Sequence, residues 1–370
     1  MKEAVIIGAV RTPVGKYMGA LKTVEAYDLA AIALAGAVSQ ANIDPALVDE
    51  VVMGQSYQNG EYVNIARMAL LKAGWPESIP GITLDRRCCT GLDVVRYAAA
   101  LIASGQAEIV VAGGVESMSN AEFYLPGSMK WGVGGAKGMP KGHGDLAIWG
   151  LPFYDRIQRA RVMSQPQDRY GILPSMMSWA ETAAKEENVS RQSCDEWAVE
   201  SHKKACAAME AGKFRDEIVP VPVMQTKGEP VIVERDENPR ADTTLEKLLK
   251  LKPVLGGVCT AGTVPIAVEK ALVQAGLNMG QMDLIEIQEA FAAQVLADLN
   301  EMGVGPTDYP RINVNGSGIS LGHPIACTGT RVLVTLLHEM RRRGARYGLE
   351  CICGGGGLGI AAVFERKTEK

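Results

Sequence analysis

The sequence predicts an α/β fold with a mainly parallel sheet, made of two similar halves. Three observations support this prediction. Strand-like and helix-like segments alternate along most of the chain, which is typical of α/β proteins. The alternation stops between residues 119 and 242, where glycines, prolines, aromatic and charged residues are frequent. The pattern that precedes this interruption then recurs after it.

The first half alternates short apolar segments with longer helical ones. One helix, Leu92–Ser104, is apolar on nearly every face, which predicts that it is buried. The predicted elements are a buried strand at Ala4–Val10, a helix at Ala26–Val38, a strand at Val51–Gly54, a helix at Asn64–Ala73, an extended segment at Gly81–Leu84, the helix Leu92–Ser104 and a strand at Ile109–Ala112.

The second half repeats this order. In the first half an extended run leads to Cys88–Gly91 and an apolar helix; in the second, Ile312–Asn315 leads to Cys327–Gly329 and a helix. Internal duplication is the simplest explanation, although strand–turn–helix–strand units recur in every α/β protein. The alternation continues at Val264–Ala275, Leu284–Glu286, Phe291–Met302, Ile312–Val314, Thr328–Arg343, Leu349–Cys353 and Ile360–Glu365.

Residues 119–242 are interpreted as an inserted domain or a long excursion, with helical stretches such as Gln192–Gly212. Long connections of this kind commonly carry binding residues.

Composition excludes several classes of protein. With 370 residues, 47% of them hydrophobic, the chain can bury a sizeable core. A net charge of −4 argues against a binder of nucleic acid or of an anionic membrane, because these partners need a basic face. No apolar stretch is long enough to span a bilayer, and the first residues do not resemble a signal peptide. The eight cysteines form no CxxC pair, so we expect free thiols, no metal site and a cytoplasmic location.

Cys88 stands at a predicted strand-to-helix turn. There the positive end of the helix dipole and nearby backbone N–H groups favour a thiolate. Cysteine is also a common small core residue, so packing is the alternative.

His323 lies on the glycine-rich turn Gly316–Pro324, just before a helix. Pro324 suits the first turn of that helix. A histidine here can accept the proton of a thiol, and the glycines let a substrate approach the backbone. A purely structural histidine is the alternative.

Four consecutive glycines follow Cys353 after a predicted strand. Glycine weakens regular structure, so the run suits a turn whose N–H groups bind a developing oxyanion, or simply a tight turn. Gln288 and Glu289 follow the strand Leu284–Ile287 and could hold a water or orient His323. For Glu289, capping the next helix is equally compatible.

Seven short segments together resemble the thiolase family, in the family's order and over nearly the whole chain. They are Val10–Gly15, Arg86–Leu92, Gly113–Ser119, Glu289–Gln294, Asn313–Gly316, Gly322–Ile325 and Cys353–Gly356. The resemblance implies a layered α/β/α/β/α fold with two thiolase-like halves and an inserted loop domain that holds coenzyme A. It implies domains at 1–118, to which 243–262 returns, at 119–242 and at 263–370.

The resemblance also implies roles for individual residues. Cys88 is the nucleophile that carries the acyl group, and Cys353 is the acid/base at the acetyl α-carbon. His323 activates Cys88 and helps to bind the thioester oxygen. Gln288 stands where the family usually has an Asn that positions a water, and the N–H groups of Cys88 and Gly355 form the second oxyanion hole.

Coenzyme A thioesters are the implied substrates, with no permanently bound cofactor. Met176 aligns loosely with a methionine of short-chain thiolases, and Arg156, Arg159, Arg161 and Arg169 are candidates for holding the coenzyme A phosphates. A homodimer or homotetramer is implied, with no nucleic-acid or membrane partner.

The sequence departs from the family pattern at four places. Asp85 and Gln288 replace asparagines, from which we expect tuning of the site rather than loss. Ala326 stands where a glycine is usual, and its methyl group could crowd the pocket or block a backbone angle.

The fourth departure is a missing segment. Cys259–Gly262 runs directly into Thr263–Ile266, whereas the family has a loop, two strands and a helix between the two stretches. Without these central strands a buried sheet edge would open, at a cost above the net stability of about 5–15 kcal/mol of a typical domain. Either a neighbouring chain compensates, or the protein is compromised as a coenzyme A enzyme.

The favoured function is therefore acetyl-CoA C-acetyltransferase, that is, reversible Claisen condensation of two acetyl-CoA or cleavage of a 3-ketoacyl-CoA. A thiolase for longer 3-ketoacyl-CoA is the alternative among enzymes. A carrier-protein ketosynthase fits less well, because Cys353 would be His or Asn there. A non-catalytic homologue, either an acyl-CoA binder or a scaffold subunit, is the alternative of a different class.

Overall fold

The computed structural model describes residues 2–125, 153–163, 165–171, 176–252 and 264–367. Within these ranges, two three-stranded sheets lie on either side of a central pair of helices. Further helices cover the outer face of each sheet, which gives the five layers expected from the sequence. None of the helices in the described ranges is both long and apolar enough to cross a bilayer.

The first sheet is parallel, with β1 (Glu50–Gly54) in the middle, flanked by β2 (Gly81–Leu84) and β3 (Val110–Gly114). Alternation along β1 assigns its two faces: Val51 and Met53 pack under the outer helices, whereas Val52 packs under the central one. The elements of this half are α1 (Ala26–Ala41), β1 (Glu50–Gly54), α2 (Ile65–Lys72), β2 (Gly81–Leu84), α3 (Thr90–Ser104) and β3 (Val110–Gly114).

The second sheet repeats this arrangement with one antiparallel edge. β8 (Leu284–Ile287) and β9 (Tyr347–Gly354) pair in parallel. β10 (Leu358–Glu365) pairs with β9 in the antiparallel direction, and a tight turn at residues 355–357 joins the two strands. The elements of this half are α9 (Val264–Ala275), β8 (Leu284–Ile287), α10 (Ala292–Glu301), α11 (Gly318–Leu321), α12 (Thr328–Arg343), β9 (Tyr347–Gly354) and β10 (Leu358–Glu365).

The central layer consists of α3 and α12, which pack on each other at their first turns. A side chain on Gly91 would lie 2.6 Å from the backbone nitrogen of Gly329, so only glycine allows this approach. The contact places the residues just before the two helices, Cys88 and His323, on the same side of the molecule.

Residues 119–242 contribute small elements, and part of this stretch lies against the body of the protein. The helix α7 (Arg191–Glu210) packs on α10 and α11. Arg11, near the start of the chain, is buried and paired with Glu217 and Asp236 from this stretch. The elements from 119 to 252 are β4 (Phe123–Tyr124), β5 (Tyr154–Asp155), α4 (Arg156–Val162), α5 (Gln167–Tyr170), α6 (Met176–Glu186), α7 (Arg191–Glu210), β6 (Val221–Val223), β7 (Val231–Val233) and α8 (Leu245–Leu249). The domain boundaries proposed from the resemblance stay a prediction.

Two strand predictions differ from the structure. Ala4–Val10 is not a buried strand: residues 2–10 form no strand, and Val5, Ile6 and Ile7 are 45–61% exposed. A strand needs a hydrogen-bonding neighbour, and β3 pairs only with β1 among the described residues. Ile312–Val314 is likewise not a strand but forms an isolated parallel bridge between Ile312 and Ile285.

Candidate active site

Cys88 is presented by a tight turn between β2 and α3. The turn needs a left-handed residue, Arg87 (φ 54°). Asp85 stabilises it, because its Oδ1 accepts hydrogen bonds from the Arg87 N–H and the Ser56 hydroxyl, both at 2.8 Å. Asp85, which the sequence marked as a departure from the family, therefore has a clear local role as a turn-capping carboxylate.

His323 meets Cys88 across the interface between the two halves. Its Nε2 lies 3.2 Å from the Cys88 Sγ, and its Nδ1 lies 2.7 Å from the Thr328 hydroxyl oxygen. When Nδ1–H donates to Thr328, Nε2 is free to accept the thiol proton. The predicted pairing of these two residues is present in the structure.

Burial favours the neutral form of both members of the pair. Burial raises the pKa of the Cys88 thiol to about 11, although the N–H groups of Gly355 and of Cys88 itself oppose this effect. Burial, followed by the charge of Arg331, lowers the pKa of His323 to about 4. Backbone N–H groups therefore act in the expected direction, toward a thiolate, but desolvation has the larger effect on the pKa of Cys88.

Cys353 and Gly355 lie at the same place, at the end of β9 and in the turn after it. Cys353 precedes Gly354, on which a Cβ would lie 2.8 Å from the Sγ of Cys89, the neighbour of Cys88. Burial, followed by the charge of Cys88, raises the pKa of Cys353. The Gly355 N–H points at the Cys88 sulfur. A Cβ on Gly355 would lie 3.6 Å from the Met176 Sδ, so Met176 also borders the site.

Gln288 is completely buried, beside Gly318. Neither its amide oxygen nor its amide nitrogen forms a hydrogen bond with any described residue. A buried amide in this state has free capacity for a water, which is the role the resemblance implies for it.

Glu289 does not cap the helix that follows it, which begins after Phe291 without a side-chain cap. Its carboxylate instead accepts hydrogen bonds from Trp197 Nε1, Asn313 Nδ2 and the Ser201 hydroxyl at 2.7–3.0 Å. It also accepts from the backbone N–H of Ile319. It thereby fixes the glycine-rich turn before His323 to α7.

Glu116 is a residue that sequence reasoning missed. Its buried carboxylate accepts backbone N–H bonds from Ser56 (3.2 Å), Tyr57 (3.0 Å) and Ala326 (3.1 Å), and so ties the first half to the loop that carries His323. Burial raises its pKa to about 7. The only available signal was its position within a family segment, Gly113–Ser119.

Ala326 does not block the backbone as the sequence suggested it could. It lies in the short 3-10 helix Ile325–Cys327 and has no positive φ, so the conformation suits alanine as well as glycine. Its side chain is fully buried.

The cationic candidates lie in α4 and α5. Arg156 forms an ion pair with Glu122 at 3.3 Å, and the Arg159 guanidinium lies 4.5 Å from the centre of the Tyr154 ring. Arg169 is exposed, whereas the side chain of Arg161 lies outside the described residues, as does Cys259. Their contact with coenzyme A stays a prediction. Among the described residues, no cluster of three or more His, Cys, Asp or Glu could hold a metal ion.

Two family models match the chain. The model of the thiolase N-terminal domain matches residues 4–267, and the model of the thiolase C-terminal domain matches residues 258–366. The chain belongs to the thiolase family. Among similar proteins, an acetyl-CoA acetyltransferase of Cupriavidus necator is 39% identical, with 99% of this chain and 100% of that protein aligned.

Other thiolases are equally similar. A β-ketoadipyl-CoA thiolase of Pseudomonas putida is 39% identical over 99% of this chain and 100% of its own length. The crystal structure of the Bacillus anthracis acetyl-CoA acetyltransferase matches with a TM-score of 0.86 and 34% identity, and covers 99% of each chain. The fold is therefore the thiolase fold.

These comparisons also bear on the missing segment. The alignment with the Cupriavidus necator thiolase has 415 positions, whereas this chain has 370 residues, so at least 45 positions (415 − 370) face gaps in this chain. The two family models overlap over residues 258–267, which include the junction of Gly262 and Thr263.

Proposed function

We propose that this thiolase is an acetyl-CoA C-acetyltransferase, which condenses two acetyl-CoA or cleaves a short 3-ketoacyl-CoA through an acyl-enzyme on Cys88. The observation that carries the proposal is the 3.2 Å contact between Cys88 Sγ and His323 Nε2, with Cys353 at the same site. The names of the relatives, acetyl-CoA acetyltransferase and β-ketoadipyl-CoA thiolase, support acyl transfer on coenzyme A thioesters.

In the cleavage direction, the first step joins Cys88 to the substrate. His323 takes the thiol proton at Nε2 as the sulfur attacks the 3-keto carbonyl carbon, so that charge separates only when substrate is present. A positioned base of this kind contributes about 10²–10⁴-fold to the rate. The raised pKa of Cys88 and the lowered pKa of His323, both caused first by burial, fit this order of events.

The carbon–carbon bond then breaks, and the departing acetyl-CoA enolate takes a proton from the Cys353 thiol. Cys88 keeps the acyl group until the thiol of free coenzyme A attacks it and gives its proton to the Cys353 thiolate. When the bond between the acyl carbon and the Cys88 sulfur breaks, His323 returns its proton to that sulfur. Condensation follows the same steps in reverse. Two thiols and one imidazole suffice for this chemistry.

The oxyanion that forms at each carbonyl needs hydrogen-bond donors. The N–H groups of Gly355 and Cys88 converge on the sulfur, and we assign them to the oxygen of the acyl-Cys88 tetrahedral intermediate. We assign a water on Gln288 and the ring of His323 to the thioester oxygen. A single donor of this type contributes about 3–4 kcal/mol.

Met176 supports a short acyl chain, because its sulfur borders the turn that carries Gly355. A homodimer or homotetramer remains a prediction from the family resemblance, and a cytoplasmic location remains a prediction from the cysteine pattern.

The test is thiolysis of acetoacetyl-CoA by free coenzyme A, followed by loss of the 3-ketothioester absorbance. Cys88→Ala should abolish turnover, whereas Cys206→Ala on α7, away from the site, should leave it unchanged. No turnover from folded wild-type protein that binds coenzyme A would reject the proposal in favour of a non-catalytic homologue.

The non-catalytic alternative has its own support. At least 45 positions of the related acetyl-CoA acetyltransferase (415 − 370) face gaps in this chain, and Val5, Ile6 and Ile7 lie exposed with no strand partner among the described residues. The intact contact between Cys88 and His323 argues against it.

A further inference from the structure

Two buried polar side chains on α10, Gln294 and Asp298, are not used in the reaction as described above. They are 2% and 1% exposed and lie one helical turn apart, on the face of α10 that packs in the core of the second half. Burying a carboxylate and a carboxamide costs free energy unless hydrogen bonds compensate. The hydrogen bonds of these two side chains therefore indicate their role.

The two side chains form a continuous hydrogen-bonded path to Cys353. The Gln294 Nε2 donates to the Asp298 Oδ2. The Cys353 Sγ–H donates to the Gln294 Oε1 at 3.4 Å. The other carboxylate oxygen of Asp298 has no partner among the described residues, so this side chain is committed to Gln294.

The order of donors along this path is fixed by chemistry. A carboxamide has an acceptor end and a donor end, whereas an ionised carboxylate can only accept. Burial raises the pKa of Asp298 to about 7, so this carboxyl is ionised in the alkaline range of the test below. Asp298 therefore holds the NH₂ group of Gln294, and the oxygen of Gln294 must face the sulfur. An oxygen in this position accepts from a thiol but repels a thiolate.

We propose that Asp298, acting through Gln294, is a positioning residue that keeps Cys353 in its thiol form and aims its proton. The inference rests on the proposed acid/base role of Cys353, which needs this proton when the acetyl-CoA enolate departs. In condensation the same arrangement makes the Cys353 thiolate a stronger base once it forms. No covalent bond changes within the path itself.

The ionisable groups that bear on the path come from three elements. Glu301 lies on α10, Cys351 and Cys353 lie on β9, and Cys88 and Cys89 lie at the start of α3. The charge of Asp298 also favours the thiol form of Cys353, as does its hydrogen bond to Gln294. It raises the pKa of Cys353, although burial and the charge of Cys88 have larger effects.

The test measures the alkylation rate of Cys353 by peptide mass spectrometry between about pH 8 and 10, where a buried thiol is only partly ionised. All variants carry Cys88→Ala, so that Cys353 is the reactive site thiol, and Cys206 in the same sample is the internal reference. The measurement needs neither substrate nor turnover, so it remains readable even if the chain proves not to be a thiolase in activity.

Asp298→Val removes the acceptor with little change in size and frees Gln294 to turn its NH₂ toward the sulfur. We expect Cys353 to react about three- to tenfold faster, because each unit of lowered pKa gives tenfold more thiolate but a weaker nucleophile. Asp298→Asn, which keeps the size and one acceptor oxygen, should give a smaller increase. Glu301→Gln on the exposed side of α10 should give none.

Two results would overturn the proposal. One is an alkylation rate in Asp298→Val or Asp298→Asn equal to that of the parent. The other is an equal increase in Glu301→Gln, which would assign the effect to general charge. If Asp298→Val does not fold, the comparison of Asp298→Asn with Glu301→Gln decides alone.

Discussion

Replacing Glu116 should weaken the connection between the two halves of the molecule. The carboxylate accepts N–H bonds from Ser56, Tyr57 and Ala326, and Glu116→Ala leaves these three donors without an acceptor. An orphaned buried donor costs about 1–3 kcal/mol, which gives about 3–9 kcal/mol for three. The mutation also removes a buried carboxyl with a pKa raised to about 7, which offsets part of the loss. We therefore expect the lower end, about 3 kcal/mol.

Urea unfolding at about pH 7.5 measures this change, provided that the m-value is the same in both proteins. Glu61→Ala, an exposed glutamate in the neighbouring loop, is the matched control and should change stability by less than about 0.5 kcal/mol. The reasoning is refuted if Glu116→Ala is as stable as this control. Since Ala326 belongs to the loop that carries His323, the thiolysis rate of the folded variant should also fall.

Three further predictions follow from the site and its support. The alkylation rate of Cys88 in the free protein should rise steadily with pH toward its pKa of about 11, since His323 with a pKa near 4 is already neutral; a plateau below neutrality would instead indicate a thiolate–imidazolium pair. Arg11→Met strips two buried carboxylates of their partner and should lower the free energy of unfolding by about 3–5 kcal/mol in denaturant titrations; a loss below about 1 kcal/mol would contradict it. Ala326→Gly should leave thiolysis unchanged and destabilise the protein by about 1 kcal/mol, as judged by its melting temperature; a large gain in activity would show that the methyl group does obstruct the site.

Much of the fold follows from local sequence signals. The helix α12 has its predicted bounds, Thr328–Arg343, and β2 has its predicted bounds, Gly81–Leu84. Both are set by hydrophobic period and by glycines at the element ends, which do not depend on the rest of the chain. The strand predicted at Ala4–Val10 fails for the opposite reason, because its apolar pattern is strand-like but a strand also needs a neighbouring strand.

The residues of the site also divide into those that local sequence predicts and those that it does not. Cys88 and His323 stand on short recognisable turns, and the sequence identified both. Glu116, Gln294 and Asp298 act through side-chain contacts that the sequence does not show. The only signal for Glu116 and Gln294 was their position within family segments, and Asp298 had none. The raised pKa of the Cys88 thiol was also beyond the sequence, since desolvation depends on how the two halves close around the sulfur.

The most direct test of the account is to trap the acyl-enzyme. The protein is mixed with acetoacetyl-CoA in the absence of free coenzyme A, quenched in acid, and the peptide that contains Cys88 is weighed. The account predicts one added acetyl group on Cys88, which disappears when coenzyme A is added before the quench. An unmodified Cys88, or an acetyl group on another cysteine, would contradict the assignment of Cys88 as the nucleophile.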